Sequence, residues 1–435
     1  MMEKGIKKVA FHTLGCKLNY AETSTISRRF EAAGYEKTAF KDPADLYVIN
    51  TCSVTENADR EFRKIVNRAK RTAPHSKIAV VGCYAQLRPE VIAESAEVDL
   101  VLGTREKFNI LDHLSIDRSD EKPVIVQDQA VDELHGCIPS YSMGDRTRSF
   151  LKIQDGCDYP CTYCTIPLAR GGSRCLAPEQ VIEQAREIVA AGVLEIVLTG
   201  VNVGEYISGS TDLDQLLGQL EQVDGLKRLR ISSIEPNLLT DQIIERTASS
   251  SVILPHFHIP LQSGSDEILR LMKRRYRSDL YLNRIEKVRE LIPHAGIGSD
   301  VIVGFPGEDD EQFNQTYDLL RDADLSYLHV FTYSERPDTA AIELDGRVPM
   351  SSRKNRNRIL TELSERKAMA FGLGQVNKDH LVLAETVKDG MATGMTENYI
   401  RVHLPVGSDD PSGQIVEVEL TGFHQGKFMA TYSRK

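Results

Sequence analysis

Short apolar runs of strand length recur through the first 115 residues: Lys8–His12 (KVAFH), Leu46–Asn50 (LYVIN), Lys77–Val81 (KIAVV) and Val98–Leu102 (VDLVL). Helical patterns lie between them, as in Glu22–Ala33 and Glu56–Arg71. Strand–helix alternation predicts an α/β domain over 1–115, a doubly wound parallel sheet with helices on its faces. A polar linker rich in Asp and Ser follows over 116–147, with one strand expected at Val124–Gln127. From 148 to 366 the alternation returns with longer spacing. Strands are expected at Phe150–Gln154, Glu195–Thr199, Arg228–Ser232, His256–Leu261, Ile297–Gly304 and Ser326–Thr332. Five helical segments separate them, which fits a partial (β/α)6 barrel with its chemistry at the C-terminal strand ends. A basic helical segment, Ser352–Met369, comes next. The remainder, 367–435, alternates at period two between Gly-rich turns (Leu381–Val387, Tyr399–His403, Gln414–Leu420, Lys427–Tyr432) and predicts a small antiparallel β-barrel.

The 435 residues suggest about three domains. With 41% hydrophobic and 27% charged residues the chain can bury a core, which excludes a disordered protein. No apolar run approaches the roughly 18 residues that span a bilayer, and the first residues (MMEKGIKKVAFHTLGC) lack the apolar core of a signal peptide. The expected location is the cytoplasm, with no membrane partner. In that setting eight cysteines point to metal ligation or redox chemistry before a disulfide framework.

The strongest motif is Gly156-Cys157-Asp158-Tyr159-Pro160-Cys161-Thr162-Tyr163-Cys164, directly after the first barrel strand. Three thiolates at C-x3-C-x2-C spacing hold three irons of a [4Fe–4S] cube and leave the fourth open to a chelating ligand. A closed zinc site wants four ligands, for which Cys175 is the best available fourth. Polar residues stand at the other strand ends: Gly200 and Asn202 after the second, Ser233 and Glu235 after the third, Gln262 after the fourth, and Asp300 on the fifth. Each alone is a turn or cap; together they outline a pocket. Cys16, Cys52 and Cys83 lie 36 and 31 residues apart and match no local metal motif. Each closely follows an expected strand (AFHTLGC, YVINTC, VVGC), so a parallel sheet brings all three to one edge, where α/β folds bind ligands. A second cluster and three buried structural cysteines both fit that placement.

The triplet, with Tyr163 just before its last cysteine, resembles the radical S-adenosylmethionine (SAM) superfamily. Three upstream cysteines and a terminal β-barrel extend the resemblance, over essentially the whole chain, to the methylthiotransferases. His12-Thr13-Leu14-Gly15-Cys16-Lys17-Leu18-Asn19 and Asn50-Thr51-Cys52-Ser53-Val54-Thr55 are most similar to the branch acting on N6-threonylcarbamoyladenosine next to the tRNA anticodon. Sister branches modify isopentenyladenosine in tRNA or an aspartate of a ribosomal protein. The resemblance implies a central radical-SAM barrel, a terminal RNA-binding TRAM-like barrel, and two [4Fe–4S] clusters, on Cys157/Cys161/Cys164 and on Cys16/Cys52/Cys83. It implies SAM held by Tyr163, Gly200, Asn202, Ser233, Glu235, Gln262 and Asp300. One SAM would methylate a sulfur on the second cluster; another would be cleaved to a radical that takes hydrogen from adenine C2. The implied partners are the tRNA anticodon stem-loop and a flavodoxin-like or ferredoxin-like electron donor. The family segment Tyr333-Ser334-Glu335-Arg336-Pro337-Asp338-Thr339 has Asp338 where glycine is usual. Cys175 is read as non-ligating and Cys137 as incidental. A non-catalytic iron–sulfur RNA binder is the rival from another class; it predicts no SAM turnover.

A net charge of −10 argues against a polyanion partner overall, but a phosphate backbone needs only a local basic face. Basic residues concentrate in 60–72 (Arg60, Arg63, Lys64, Arg68, Lys70, Arg71), in 270–277 around Tyr276, and in Ser351–Lys378. Asp379–Lys435 has five basic and eight acidic residues. Its RNA contacts would have to come from Tyr399, Phe423, Phe428 or Tyr432 stacking on bases, with Arg401, Lys427 and Arg434 near phosphates; a role for these rings in the barrel core is the alternative.

Overall fold

The computed structural model describes residues 7–52, 56–94, 97–114, 124–125, 136–144, 147–407 and 409–433. Ser53–Thr55, most of 116–135, the Arg60 side chain and Arg434 lie outside the described residues. The chain divides into two compact units, one of residues 1–142, 150–158 and 164–176, the other of residues 143–149, 159–163 and 177–435. Among the described residues no helix is long and apolar enough to cross a membrane.

In the first unit, β1 (Lys8–Thr13), β2 (Glu36–Thr38), β3 (Leu46–Thr51), β4 (Lys77–Gly82), β5 (Leu100–Leu102) and β6 (Val124–Ile125) form one sheet in the order β2-β1-β3-β4-β5-β6. Every pairing is parallel. Strand side chains alternate between two cores. Val9, Leu46, Val48, Ala79 and Val81 pack with Ile26 and Phe30 of α1 (Lys17–Ala32). Ala10, Tyr47, Ile49, Ile78 and Val80 pack with Phe62, Val66 and Ala69 of α2 (Glu56–Thr72). A sheet buried on both faces is why its strands read as continuous apolar runs. Two differences from expectation are small. β2 is a three-residue polar edge strand (Glu-Lys-Thr) with no apolar signal, and α1 begins at Lys17, ahead of the expected Glu22, with Asn19, Glu22, Thr23, Ser24 and Ser27 buried.

The second unit holds five parallel strands at Glu195–Thr199, Arg228–Ile231, His256–His258, Gly296–Val303 and Tyr327–Thr332. They pair in that order, with Leu229↔Ile253 and Ser233↔His258 bridges joining the second to the third. The first expected strand forms as Arg148–Lys152 followed by Gln154–Asp155. The C-terminal part is a closed five-stranded barrel of Asp379–Lys388, Met391–Met395, Arg401–Pro405, Ile415–His424 and Lys427–Tyr432. Four of its pairings are antiparallel, while Arg401–Pro405 and Lys427–Tyr432 run parallel to close the barrel. The extra strand, Met391–Met395 (MATGM), has too little alternation to read from sequence.

Within this unit a buried ion cluster ties the parallel strands to the terminal barrel. The Glu195 carboxylate accepts from Arg228 Nε at 2.7 Å and Arg230 Nε at 3.1 Å. Arg228 also donates to the carbonyls of Leu381, Met395 and Thr396. Burial alone would push Glu195 up, but Arg230, Arg228 and Arg148 hold it down at about 2. A carboxylate depressed from 4.5 to about 2 adds roughly 3 kcal/mol that is fully present above pH 4.5 and fades as pH falls toward 2. Glu195→Gln is therefore expected to cost about 3–5 kcal/mol at pH 7. Hydrogen exchange in Arg228–Ile231 should show the gap between parent and variant narrowing below pH 4.5; a constant gap would contradict the assignment.

Candidate functional site

Three strand ends of the first unit meet at one sheet edge. Cys16 follows β1 as the residue before α1, Cys52 follows β3, and Cys83 opens a short helix, α3 (Cys83–Leu87), after β4. The neighbours make this approach possible. Gly15 sits at φ +101°, and a Cβ there would lie 2.8 Å from the Cys52 sulfur. The Asn19 amide donates to the carbonyls of Leu14 and Thr51, lacing the β1 and β3 loops together. Thr51 Oγ1 donates to Val81 O and so fixes β3 to β4. Cys16 is exposed while Cys52 and Cys83 are buried.

Behind the thiols lies a group of buried charges on the same unit. Glu22 of α1 receives Lys107 Nζ at 2.5 Å, Lys152 Nζ at 2.9 Å, and Arg170 at 3.0–3.1 Å. Asp155 receives Lys152 and Arg170 at 2.7 and 2.8 Å. Burial opposes ionisation, yet the three cations hold both carboxyls well below the usual range. Arg170 Nε points to the Cys83 sulfur at 3.3 Å. None of these charges was singled out from the sequence. Glu22 falls in an ordinary helical pattern, and Lys107, Lys152 and Arg170 look like surface cations until the fold buries them.

The central triplet begins at Gly156, whose φ of +72° and closeness to Gly172 O exclude any side chain. Cys157 N donates to Gly171 O, and Cys164 Sγ accepts from Ile166 N at 3.5 Å, both within the first unit. Cys161 and Tyr163 belong to the second unit. There Arg274 donates to Cys161 Sγ at 3.1 Å and Tyr163 Oη at 3.4 Å, and pairs with Glu235. The arginine thus joins three of the expected positions. Arg275 lies over the Tyr159 ring at 4.2 Å.

A second chain of contacts runs across the neighbouring strands. Ser233 Oγ lies 2.9 Å from His258 Nδ1, and His258 Nε2 is 2.9 Å from Asp300 Oδ1. His329 Nδ1 approaches the same Asp300 oxygen at 3.2 Å. These bonds outweigh burial and hold Asp300 below its usual range. Gln262 takes a positive φ of 68° and donates its backbone N–H to Asp300 O. Gly200 and Asn202 stand at the end of Glu195–Thr199, with Asn202 buried. His258, His329 and Arg274 escaped the sequence reading. His258 closes the strand His256–His258, where a search of strand ends for imidazoles would find it, while His329 lies inside Tyr327–Thr332.

Asp338 adopts φ +66°, so it takes the left-handed turn that glycine would take; Asp is among the few residues that do so readily. The adjoining helix lets Ala341 N donate to Thr162 O within the triplet loop. Cys175 pairs in a two-residue ladder opposite Gln154.

Of the basic groups, α2 keeps Arg63, Lys64, Arg68 and Arg71 exposed. Arg353 and Arg356 are buried on Glu335 and Glu308, which removes them from any RNA face. In the terminal barrel Tyr399 stacks on His256 at 4.3 Å, Phe428 packs against the barrel core with Phe423 at 4.8 Å, and Tyr432 is exposed.

Comparison with known proteins places this arrangement. A family described as "Uncharacterized protein family UPF0004" matches residues 8–103, and the Radical SAM superfamily matches residues 151–320. The threonylcarbamoyladenosine tRNA methylthiotransferase MtaB of Bacillus subtilis is 40% identical over 97% of this chain and 96% of its own. A tRNA-2-methylthio-N(6)-dimethylallyladenosine synthase of Mycolicibacterium gilvum is 35% identical over 94% of this chain and 84% of its own. Among solved structures, the radical SAM methyltransferase TsrM from Kitasatospora setae aligns with a TM-score of 0.56 at 15% identity, covering 77% of each chain, a likeness of fold. The chain belongs to the radical-SAM tRNA methylthiotransferase family, and is an enzyme that transfers a methylthio group with SAM and [4Fe–4S] chemistry.

Proposed function

We propose that this enzyme methylthiolates C2 of N6-threonylcarbamoyladenosine next to the anticodon of tRNA, consuming two SAM molecules. The observation that carries the reading is the meeting of Cys16, Cys52 and Cys83 at one sheet edge, with Gly15 and Asn19 shaped to allow it. Thiols from three strands, backed by a buried guanidinium, are the donor set that a thiolate-ligated cluster requires. In this reading Cys16, Cys52 and Cys83 hold the cluster that presents sulfur, and Cys157, Cys161 and Cys164 hold the cluster that meets SAM. When bound, the clusters supply one electron for SAM cleavage and a sulfur for methyl transfer.

The chain's own residues do the positioning. Arg274 braces Cys161, Tyr163 and Glu235. Ser233, His258, Asp300 and His329 form a hydrogen-bonded row that presents polar groups to bound SAM and substrate, joined by Gly200, Asn202 and Gln262. The division follows as a cluster-bearing domain over 1–115, a linker over 116–147, a SAM-cleaving barrel over 148–366 and a TRAM-like barrel over 367–435. The exposed cations of α2 give a face for the anticodon stem-loop, in the cytoplasm where tRNA and a flavodoxin-like or ferredoxin-like electron donor reside.

The threonylcarbamoyl branch is favoured by the likeness to MtaB over 97% of this chain. Anaerobic assays with SAM, reductant and tRNA bearing threonylcarbamoyladenosine, isopentenyladenosine or neither base test it. The 2-methylthio product is expected on the first tRNA alone; product on the isopentenyl tRNA would move the enzyme to the sister branch.

A further inference from the structure

Arg170 closes the helix Ile166–Arg170, which starts two residues after Cys164. Its side chain is almost wholly buried, and all five of its N–H donors have acceptors. Nη1 serves Glu22 and Asp155, Nη2 serves Asn19 and Glu22, and Nε serves the Cys83 sulfur. A guanidinium offers a fixed planar fork of five donors, so the aim of Nε is set by the four bonds on the other two nitrogens. Those four bonds reach α1 and Asp155, which are anchored in turn by Lys107 and Lys152. The cysteine sulfur is therefore met by a donor that the fold holds in place.

The charges give a second reason. Arg170, Lys107 and Lys152 face the two carboxylates of Glu22 and Asp155 inside the unit, and Arg174 approaches Asp155 from the rim at 3.8 Å. Cations outnumber anions, and buried charge is tolerated when it is paired. Beyond the carboxylates and the Asn19 amide oxygen, Arg170 touches the Cys83 sulfur, so the buried positive charge lies directly against a cluster ligand. N–H···S bonds and nearby positive charge both raise the reduction potential of a cluster held by such a sulfur.

We infer that Arg170 is a positioning residue for the Cys16/Cys52/Cys83 cluster: it hydrogen-bonds the Cys83 ligand sulfur and makes that cluster easier to reduce. The inference rests on the reading that these three cysteines hold a cluster. It also means that one short segment carries Cys164 for one cluster and a donor for the other.

The test uses the full chain in a Cys157→Ala/Cys161→Ala/Cys164→Ala background, where only the N-terminal cluster forms, reconstituted anaerobically. Absence of iron in this background would refute the underlying reading and not the role of Arg170. Given iron, the midpoint potential is measured by an EPR-monitored redox titration with Arg170, Arg170→Met and Arg170→Lys. Arg170→Met leaves two buried cations against two carboxylates, so the fold keeps its internal charge balance. It is expected to lower the reduced-to-oxidised ratio at fixed potential about tenfold, which is about 59 mV for one electron. Arg170→Lys, which keeps the charge and loses the directed Nε–H, is expected to fall between. If the Met variant takes up no iron, the Lys variant decides: a lowered potential supports the inference. An unchanged potential in each variant that loads iron would overturn it.

Discussion

Replacing Cys16, Cys52 and Cys83 together by alanine is expected to reduce methylthio transfer to background while SAM is still cleaved. Removing a unit whose parts act together costs roughly 10^3-fold or more in activity. The fold should survive. Cys16 is exposed, and Cys52 and Cys83 lie at strand ends where each lost sulfur costs about 1 kcal/mol, a typical point-substitution penalty. Reductive formation of 5′-deoxyadenosine should persist, because Cys157, Cys161 and Cys164 remain. Liquid chromatography of the nucleosides and of the SAM products from one anaerobic reaction reads both quantities. Loss of both products together would mean that the two cysteine sets serve a single centre. Retention of methylthio product would mean that the three cysteines are structural.

The second large effect is on stability. Glu22→Gln is expected to destabilise the first unit by about 3–5 kcal/mol, because it strands buried cations without their shared carboxylate. Lys107, Lys152 and Arg170 all close on Glu22 within 2.5–3.1 Å, and Asp155 alone remains to serve them. With two units in the chain a single unfolding midpoint is a poor measure. Hydrogen exchange in α1 and β3 is the suitable one, and it should lose protection there while the terminal barrel keeps its own. Adding Arg170→Met to Glu22→Gln removes one stranded cation and should restore part of the loss. A double variant less stable than Glu22→Gln alone would show that Arg170 stabilises by packing instead of through charge.

The two effects bear on how far the chain could be read before folding. Most parallel strands of the first unit, the five strands of the second and four of the five barrel strands were legible, because apolar runs and period-two alternation record burial directly; the polar edge strand Glu36–Thr38 and the barrel strand Met391–Met395 carry neither signal. So was the meeting of Cys16, Cys52 and Cys83, since a cysteine just after each strand of a parallel sheet must arrive at the same edge. What stayed hidden was every partnership between charges distant in sequence. Arg170 reads as a cation next to a glycine pair, and its contacts with Glu22, 148 residues away, exist only once α1 and the triplet loop are folded. Arg353 and Arg356 likewise counted toward a basic face and turned out to be buried on carboxylates. Net charge by segment cannot separate a solvated cation from a paired one. Tyr399 shows the same limit for aromatics: alternation marks a strand position, while its stacking on His256 depends on the barrel meeting a strand from another part of the unit.

Chemistry at the site divides in the same way. The triplet spacing is local and needs no fold. The row Ser233–His258–Asp300–His329 draws on four successive strands, with Asp300 and His329 inside theirs, and from sequence only Ser233 and Asp300 were picked out. Two imidazoles that share one carboxylate oxygen orient each other, so the row is more rigid than its separate residues suggest.

The most direct test of the whole account is iron and acid-labile sulfide per chain after anaerobic reconstitution, in the parent and in the Cys16→Ala/Cys52→Ala/Cys83→Ala variant. Two [4Fe–4S] clusters predict about eight irons falling to about four, with sulfide in step. About four irons in both proteins would contradict a second cluster on these cysteines, and with it the division of labour on which the methylthio transfer is built.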